Sequence, residues 1–167
     1  MNEIVNKVAS SKLEVFDLED YFPKEELLYL DISQFLFEGF ILKEKEFRMA
    51  LKEFNWNKYK DVYVYANCST DTVLPAWAYI LITSHLYSFS KFTIQGSKRD
   101  LLISIYNEKL MNLNFSIYKD LFVILKGCSS KPVPQEVYVI AIQKLIPFAK
   151  SIMFGEACSA VPVFKRK

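Results

Sequence analysis

Glycine, proline, histidine and cysteine are all scarce in this chain, and each shortage excludes something. Only 4 glycines and 6 prolines occur in 167 residues, too few for a disordered or low-complexity segment. The four glycines, Gly39, Gly96, Gly127 and Gly155, are too scattered for a dinucleotide fingerprint or a phosphate-cradling loop. A single histidine, His85, and no G-x-S-x-G run leave no basis for a serine triad. Three cysteines without a C-x-x-C spacing give no zinc-finger signature, and the odd count leaves at least one thiol unpaired. The net charge of +2 is too small for a nucleic-acid footprint, and Lys165-Arg166-Lys167 is only a short basic end. The longest apolar stretch, Val73 to Ile82, falls well short of a membrane span. Glu3 and Glu14, with no apolar run between them, argue against a signal peptide. These absences point to a cytoplasmic chain with no nucleic-acid or membrane partner, in which disulfides are not expected.

What is present is a globular composition, 51% hydrophobic, with enough length for one domain over residues 1–167. The chain also repeats itself. Residues 59–96 align with 118–155 at a constant offset of 59. Tyr59, Lys60, Asp61 and Val64 match Tyr118, Lys119, Asp120 and Val123. Pro75, Tyr79, Leu86, Phe89, Lys91 and Gly96 match Pro134, Tyr138, Leu145, Phe148, Lys150 and Gly155.

The apolar pattern predicts strands at Leu27–Ile32, Val62–Ala66, Phe92–Gln95, Asp120–Leu125, Ser151–Phe154 and Val161–Phe164. Glu44–Phe54 reads as an amphipathic helix. Two more helices follow Pro75 and Pro134, where a missing N–H costs little, and Ser97 is placed to cap a helix over Arg99–Leu110. The first twenty or so residues read as an irregular lead-in. Strand–helix alternation of this kind predicts a single α/β domain. Its mostly parallel sheet of about five strands would be built from two diverged βαβ repeats, with helices packed on it and a short edge strand at the C-terminal end.

In such a sheet the strand-to-helix turns share the C-terminal rim, where ligand sites gather. Cys68, Cys128 and Cys158 each follow a strand and are each followed by serine. Helix N-termini at that rim favour thiolate, the form that binds soft metals or attacks electrophiles. The bland alternative is three unrelated core thiols, since free cysteine behaves as a small hydrophobe. The two repeat cysteines are also one position out of register: Cys68 aligns with Gly127, and Cys128 with Ser69. Asp71 and Glu156 are the nearest oxygen ligands. His85 lies ten residues beyond Pro75, about 15 Å along its helix at ~1.5 Å per residue, which carries it to a helix end away from the rim.

Several runs are familiar: Glu3-Ile4-Val5-Asn6-Lys7-Val8, Leu36–Lys45, Pro75-Ala76-Trp77-Ala78-Tyr79, Lys126-Gly127-Cys128-Ser129, and Ser151–Val163. Together they resemble a Bacteroidetes family, the domain of unknown function number 2480, over nearly the whole chain. The resemblance implies a setting among Suf-type iron–sulfur assembly genes, and so iron–sulfur assembly proteins as partners. Three readings follow. In the first, the protein is a metal-binding accessory in which Cys68, Cys128 and Cys158 hold zinc or an iron–sulfur cluster, with Glu156, Asp71 or water as fourth ligand. In the second, it is a non-catalytic scaffold with structural cysteines. In the third, it is a thiol enzyme or sulfur carrier acting through one cysteine, most simply Cys128.

Overall fold

A computed structural model describes residues 13–127, 130–156 and 159–167. The strands are β1 (Leu13–Phe16), β2 (Leu27–Asp31), β3 (Tyr63–Asn67), β4 (Phe92–Gln95), β5 (Phe122–Lys126), β6 (Ser151–Gly155) and β7 (Val161–Lys165). The helices are α1 (Glu44–Glu53), α2 (Ala76–Leu86), α3 (Lys98–Met111) and α4 (Gln135–Leu145). Helix α3 begins as expected. Ser97 Oγ accepts from Asp100 N, while the Asp100 carboxylate accepts from Ser97 N at 2.8 Å. This reciprocal arrangement satisfies two donors that a helix start leaves over.

The α/β architecture, with mostly parallel strands and helices packed on them, is as the sequence predicts. The single sheet of about five strands is not found. Among the described residues, seven strands form two sheets: β2-β3-β4, all parallel, and β1-β5-β6-β7, in which β7 runs antiparallel. β7 lies at the edge, as expected of the last strand. β1 falls inside the stretch read as irregular. It has four residues and pairs with β5, so its stability comes from a partner that no local pattern could reveal.

The described residues cluster into two compact units, one within 23–102 and the other within 13–22 and 103–167. Each unit has the same plan: a parallel triplet of strands, an aspartate-capped 3₁₀ turn after the first strand, and two helices over one face. The duplication is therefore longer than the aligned repeat. The copy that contains β1 is interrupted by the other copy between Phe22 and Ile103.

Equivalent positions build equivalent cores. In the 23–102 unit, Phe47 and Leu51 of α1 and Ala78, Ile82 and Leu86 of α2 pack on Val64 and Ala66 of β3. In the other unit, Tyr106 and Leu110 of α3 and Val137, Ala141 and Leu145 of α4 pack on Val123 and Leu125 of β5. Every one of these residues is 2% exposed or less. Complete burial is worth roughly 1.5–3 kcal/mol for each large apolar side chain.

The matched polar residues of the repeat have backbone roles. Asp61 and Asp120 both adopt a left-handed φ of 60°, a conformation that, among residues with a side chain, asparagine and aspartate visit most readily. Their N–H groups donate to Phe89 and Phe148 carbonyls, closing the turn before each middle strand. Gly96 and Gly155 end the third strands at φ 144° and 126°. A Cβ at Gly96 would lie 2.9 Å from Asp100 Oδ2, so this glycine leaves room for the cap of α3.

Candidate functional site

The C-terminal rim of the four-stranded sheet is built from three neighbouring strand ends. Asp17 follows β1, Lys126 ends β5, and Glu156 follows β6. Parallel pairing places Lys126 opposite Gly155 and brings these ends together. Asp17 Oδ1 accepts from Glu19 N at 2.9 Å and so caps the 3₁₀ turn Leu18–Tyr21. Its other oxygen accepts from Lys126 Nζ at 2.6 Å, across 109 residues of sequence. That hydrogen bond, together with the charges of Asp17, Glu19 and Glu156, raises the Lys126 ammonium above its ordinary value against the opposing effect of desolvation. The Glu19 carboxylate accepts from the backbone N–H and Oγ of Ser130 and from Lys131 N. It thereby ties the loop after β5 to the turn after β1.

Glu156 is the exception in this network. Its Oε1 is buried and has no hydrogen-bond partner among the described residues. A buried, unpaired carboxylate oxygen is costly, and such an atom calls for an explanation.

Gly127 explains the slipped register of the cysteines. A Cβ there would come within 2.9 Å of Phe154 Cζ and 3.1 Å of Gly155 Cα. A side chain at position 127 would force Phe154 and the β6 backbone to shift, although its counterpart in the other copy is Cys68. Gly127 also lines an open cavity of about 440 Å³ with Lys131, Pro132, Val133, Gln135, Tyr138 and Phe154. Cys128 and Cys158 themselves lie outside the described residues.

The rim of the three-stranded sheet differs. Asp31, equivalent to Asp17, caps its own 3₁₀ turn by accepting from Ser33 N at 3.0 Å. It also accepts from Ser69 N at 3.1 Å and from Ser69 Oγ at 2.6 Å. Partial burial alone would raise the Asp31 carboxyl. The hydrogen bonds from Ser69 and Ser33 outweigh it and hold the group below its ordinary value.

Cys68 is half-buried, with Sγ 3.1 Å from Thr70 Oγ1. Thr70 has one hydroxyl proton, and it goes to the Gly39 carbonyl at 2.8 Å. Thr70 thus links the Cys68 side chain to the Gly39 carbonyl.

The expectation of three thiols on one sheet rim rested on a single sheet. Cys68 follows a strand of one sheet, while Cys128 and Cys158 follow, in sequence, adjacent strands of the other. Only those two keep the physical reason for sharing a rim. Asp71 is exposed. His85 sits in the last turn of α2, stacked on Trp56 with ring centroids 5.5 Å apart, a helix-end role as expected. Among the described residues, no group of three or more His, Cys, Asp or Glu side chains is arranged to hold a metal ion.

Asp17, Glu19, Asp31, Lys126 and Ser69 are absent from the residues singled out by sequence. One signal for them was legible: Val15-Phe16-Asp17-Leu18-x-x-Tyr21-Phe22 and Tyr29-Leu30-Asp31-Ile32-x-x-Phe35-Leu36 share a pattern. It lies outside the 59-residue register because the copies are nested.

This duplicated plan runs through almost the whole chain, and a single family model spans the same extent, residues 2–166. The chain belongs to DUF2480. The family is described as proteins of unknown function. No curated protein and no solved structure matches this DUF2480 chain. No helix among the described residues is long and apolar enough to cross a membrane.

Proposed function

We propose that the protein is a metal-binding accessory protein whose site lies at the C-terminal rim of the four-stranded sheet, with Cys128, Cys158 and Glu156 as ligands. The observation that supports this reading is the orphaned, buried Oε1 of Glu156. That oxygen belongs to a residue two positions before Cys158, at the end of a strand paired to the one that precedes Cys128. Two thiolates and a carboxylate suit Zn²⁺ with a fourth position left for water or a partner's ligand, and thiolates equally suit an iron–sulfur cluster. The Lys126 ammonium beside Glu156 supplies positive charge that favours thiolate over thiol. Cys68 is left out of this ligand set because it follows a strand of the other sheet, without the strand pairing that joins β5 and β6. A Bacteroidetes source and iron–sulfur assembly proteins as partners belong to the same proposal and come from the family resemblance; a cytoplasmic location belongs to it too and comes from the sequence pattern.

Elemental analysis of protein purified without chelator tests it. The expected result is about one equivalent of zinc, or the iron of one cluster, per chain. Cys128→Ser, Cys158→Ser and Glu156→Gln should each lose it, while Cys68→Ser should keep it. Less than about a tenth of an equivalent of either metal, with all three thiols readily alkylated, overturns the reading.

The scaffold reading has one observation in its favour. Leu125, Tyr138, Val139, Ile142, Phe154 and Val163 line an apolar cavity of about 180 Å³ between α4 and the sheet. Val139 and Val163 are 56% and 46% exposed. Full function in a variant lacking all three cysteines would select this reading.

A further inference from the structure

The rim of the three-stranded sheet contains a connected set of hydrogen bonds that the metal proposal does not use. Asp31 sits at its root. Asp31 Oδ1 accepts from Ser33 N and Ser69 N, and Oδ2 from Ser69 Oγ. The Ser69 proton is spent on Asp31, so Ser33 Oγ donates to Ser69 Oγ across 3.1 Å. One residue on, Thr70 Oγ1 lies within hydrogen-bond distance of Cys68 Sγ, at 3.1 Å, and donates to the Gly39 carbonyl. Thr72 Oγ1 donates to the Phe40 carbonyl at 3.2 Å. The loop 68–72 is thus held at one end by Asp31, and it holds the tight hairpin Phe37–Ile41 at the other.

That hairpin has little else to secure it. Its own bonds are Phe37 N to Ile41 O, Ile41 N and Phe40 N to Phe37 O, and Gly39 N to Leu36 O, with Glu38 and Gly39 both at positive φ and Lys43 Nζ over the Phe37 ring. Phe37, Phe40 and Ile41 are 40–50% exposed. So short a hairpin is not stable by itself in water. The equivalent rim of the other unit divides the work between two acids, Asp17 for the turn and Glu19 for the loop. In the three-stranded unit a single carboxylate does both.

We infer that Asp31 is the latch of a conformational device. With its charge in place, the Cys68 loop and the Phe37–Ile41 hairpin stay closed. When the charge is lost, the two open together, and the Cys68 thiol becomes reactive while the aromatic hairpin is released.

The test uses the full chain in the presence of a chelator, so its outcome does not depend on metal binding. Alkylation by iodoacetamide is followed separately at Cys68, Cys128 and Cys158 by peptide mass spectrometry, and hydrogen exchange is followed at the hairpin amides. Asp31→Asn should raise the Cys68 rate about tenfold, the size expected when hydrogen bonds to a charged group are lost. Exchange at residues 37–41 should rise with it, and the other two thiols should change less than about twofold. Ser69→Ala removes the hydroxyl that bonds Asp31 and Ser33 but leaves the carboxylate and its backbone donors, so it should raise the Cys68 rate by about threefold; it also stands as the test should Asp31→Asn fail to fold. An unchanged Cys68 rate in the folded variants overturns the latch. So does a rise at all three thiols alike, which would mean general loosening. A rise at Cys68 with unchanged hairpin exchange overturns the coupling.

Discussion

Gly127 is a residue whose role is steric. Phe154 and the Gly155 backbone fill the space where its Cβ would be, so with one there both would have to shift. Gly127→Ala should destabilise the protein by about 1–3 kcal/mol in urea unfolding, the usual cost of overpacking. Gly39→Ala should cost less, about 1 kcal/mol, since nothing lies within 4 Å of a Cβ there and only its φ of 80° is strained. Equal effects at the two positions would contradict the steric account. Asp31 makes a prediction in pH. Its carboxyl is held lower in the folded than in the unfolded chain, so its contribution is fully present above the unfolded value and is lost as pH falls through the folded one. The stability difference between the wild type and Asp31→Asn should therefore persist at neutral pH and shrink as pH falls through and below the ordinary carboxylate range. A difference independent of pH would show that the charge is not what matters.

At the scale of elements, α2 and α4 are the same helix used twice. Each starts after a proline, and each buries positions three, seven and eleven: Ala78, Ile82 and Leu86 in one, Val137, Ala141 and Leu145 in the other. Leu86→Ala and Leu145→Ala should each cost roughly 2–5 kcal/mol, through lost burial and the cavity left behind. Thermal or urea unfolding measures both. A cost under about 1 kcal/mol at either site would mean the core there collapses around the gap. The boundaries of these helices were legible because a helix is written in local periodicity and local caps. β1 was not. Four residues carry no readable alternation, and β1 exists because β5 offers an edge 109 positions away.

For the whole molecule, the duplication has consequences that neither copy shows alone. Each unit has its own buried cluster, and no residue is shared between the two. A cavity should therefore be felt first by its own unit. In Leu86→Ala, amides within 23–102 should lose hydrogen-exchange protection before those of 103–167, and Leu145→Ala should show the reverse order. Uniform loss across the chain in both variants would show that the two cores open as one. The nesting of the copies also accounts for what the cysteine argument lost. Three thiols after three strands were expected on one rim, and two sheets leave that physical argument to only two of them.

By itself the sequence determined the α/β class, the repeat, most strand and helix positions and the edge strand at the end, because each is set by local periodicity, turn chemistry or direct self-similarity. It also marked Glu156 as a ligand candidate. Tertiary structure alone decided that the strands divide into two sheets, that one copy is threaded through the other, and that Asp17, Lys126 and Glu156 meet at one rim. Strand pairing is a contest among distant edges, and the energy that settles it comes from contacts that no window along the chain contains. The same holds for the Asp31 latch, whose hydrogen bonds join residues 38 positions apart.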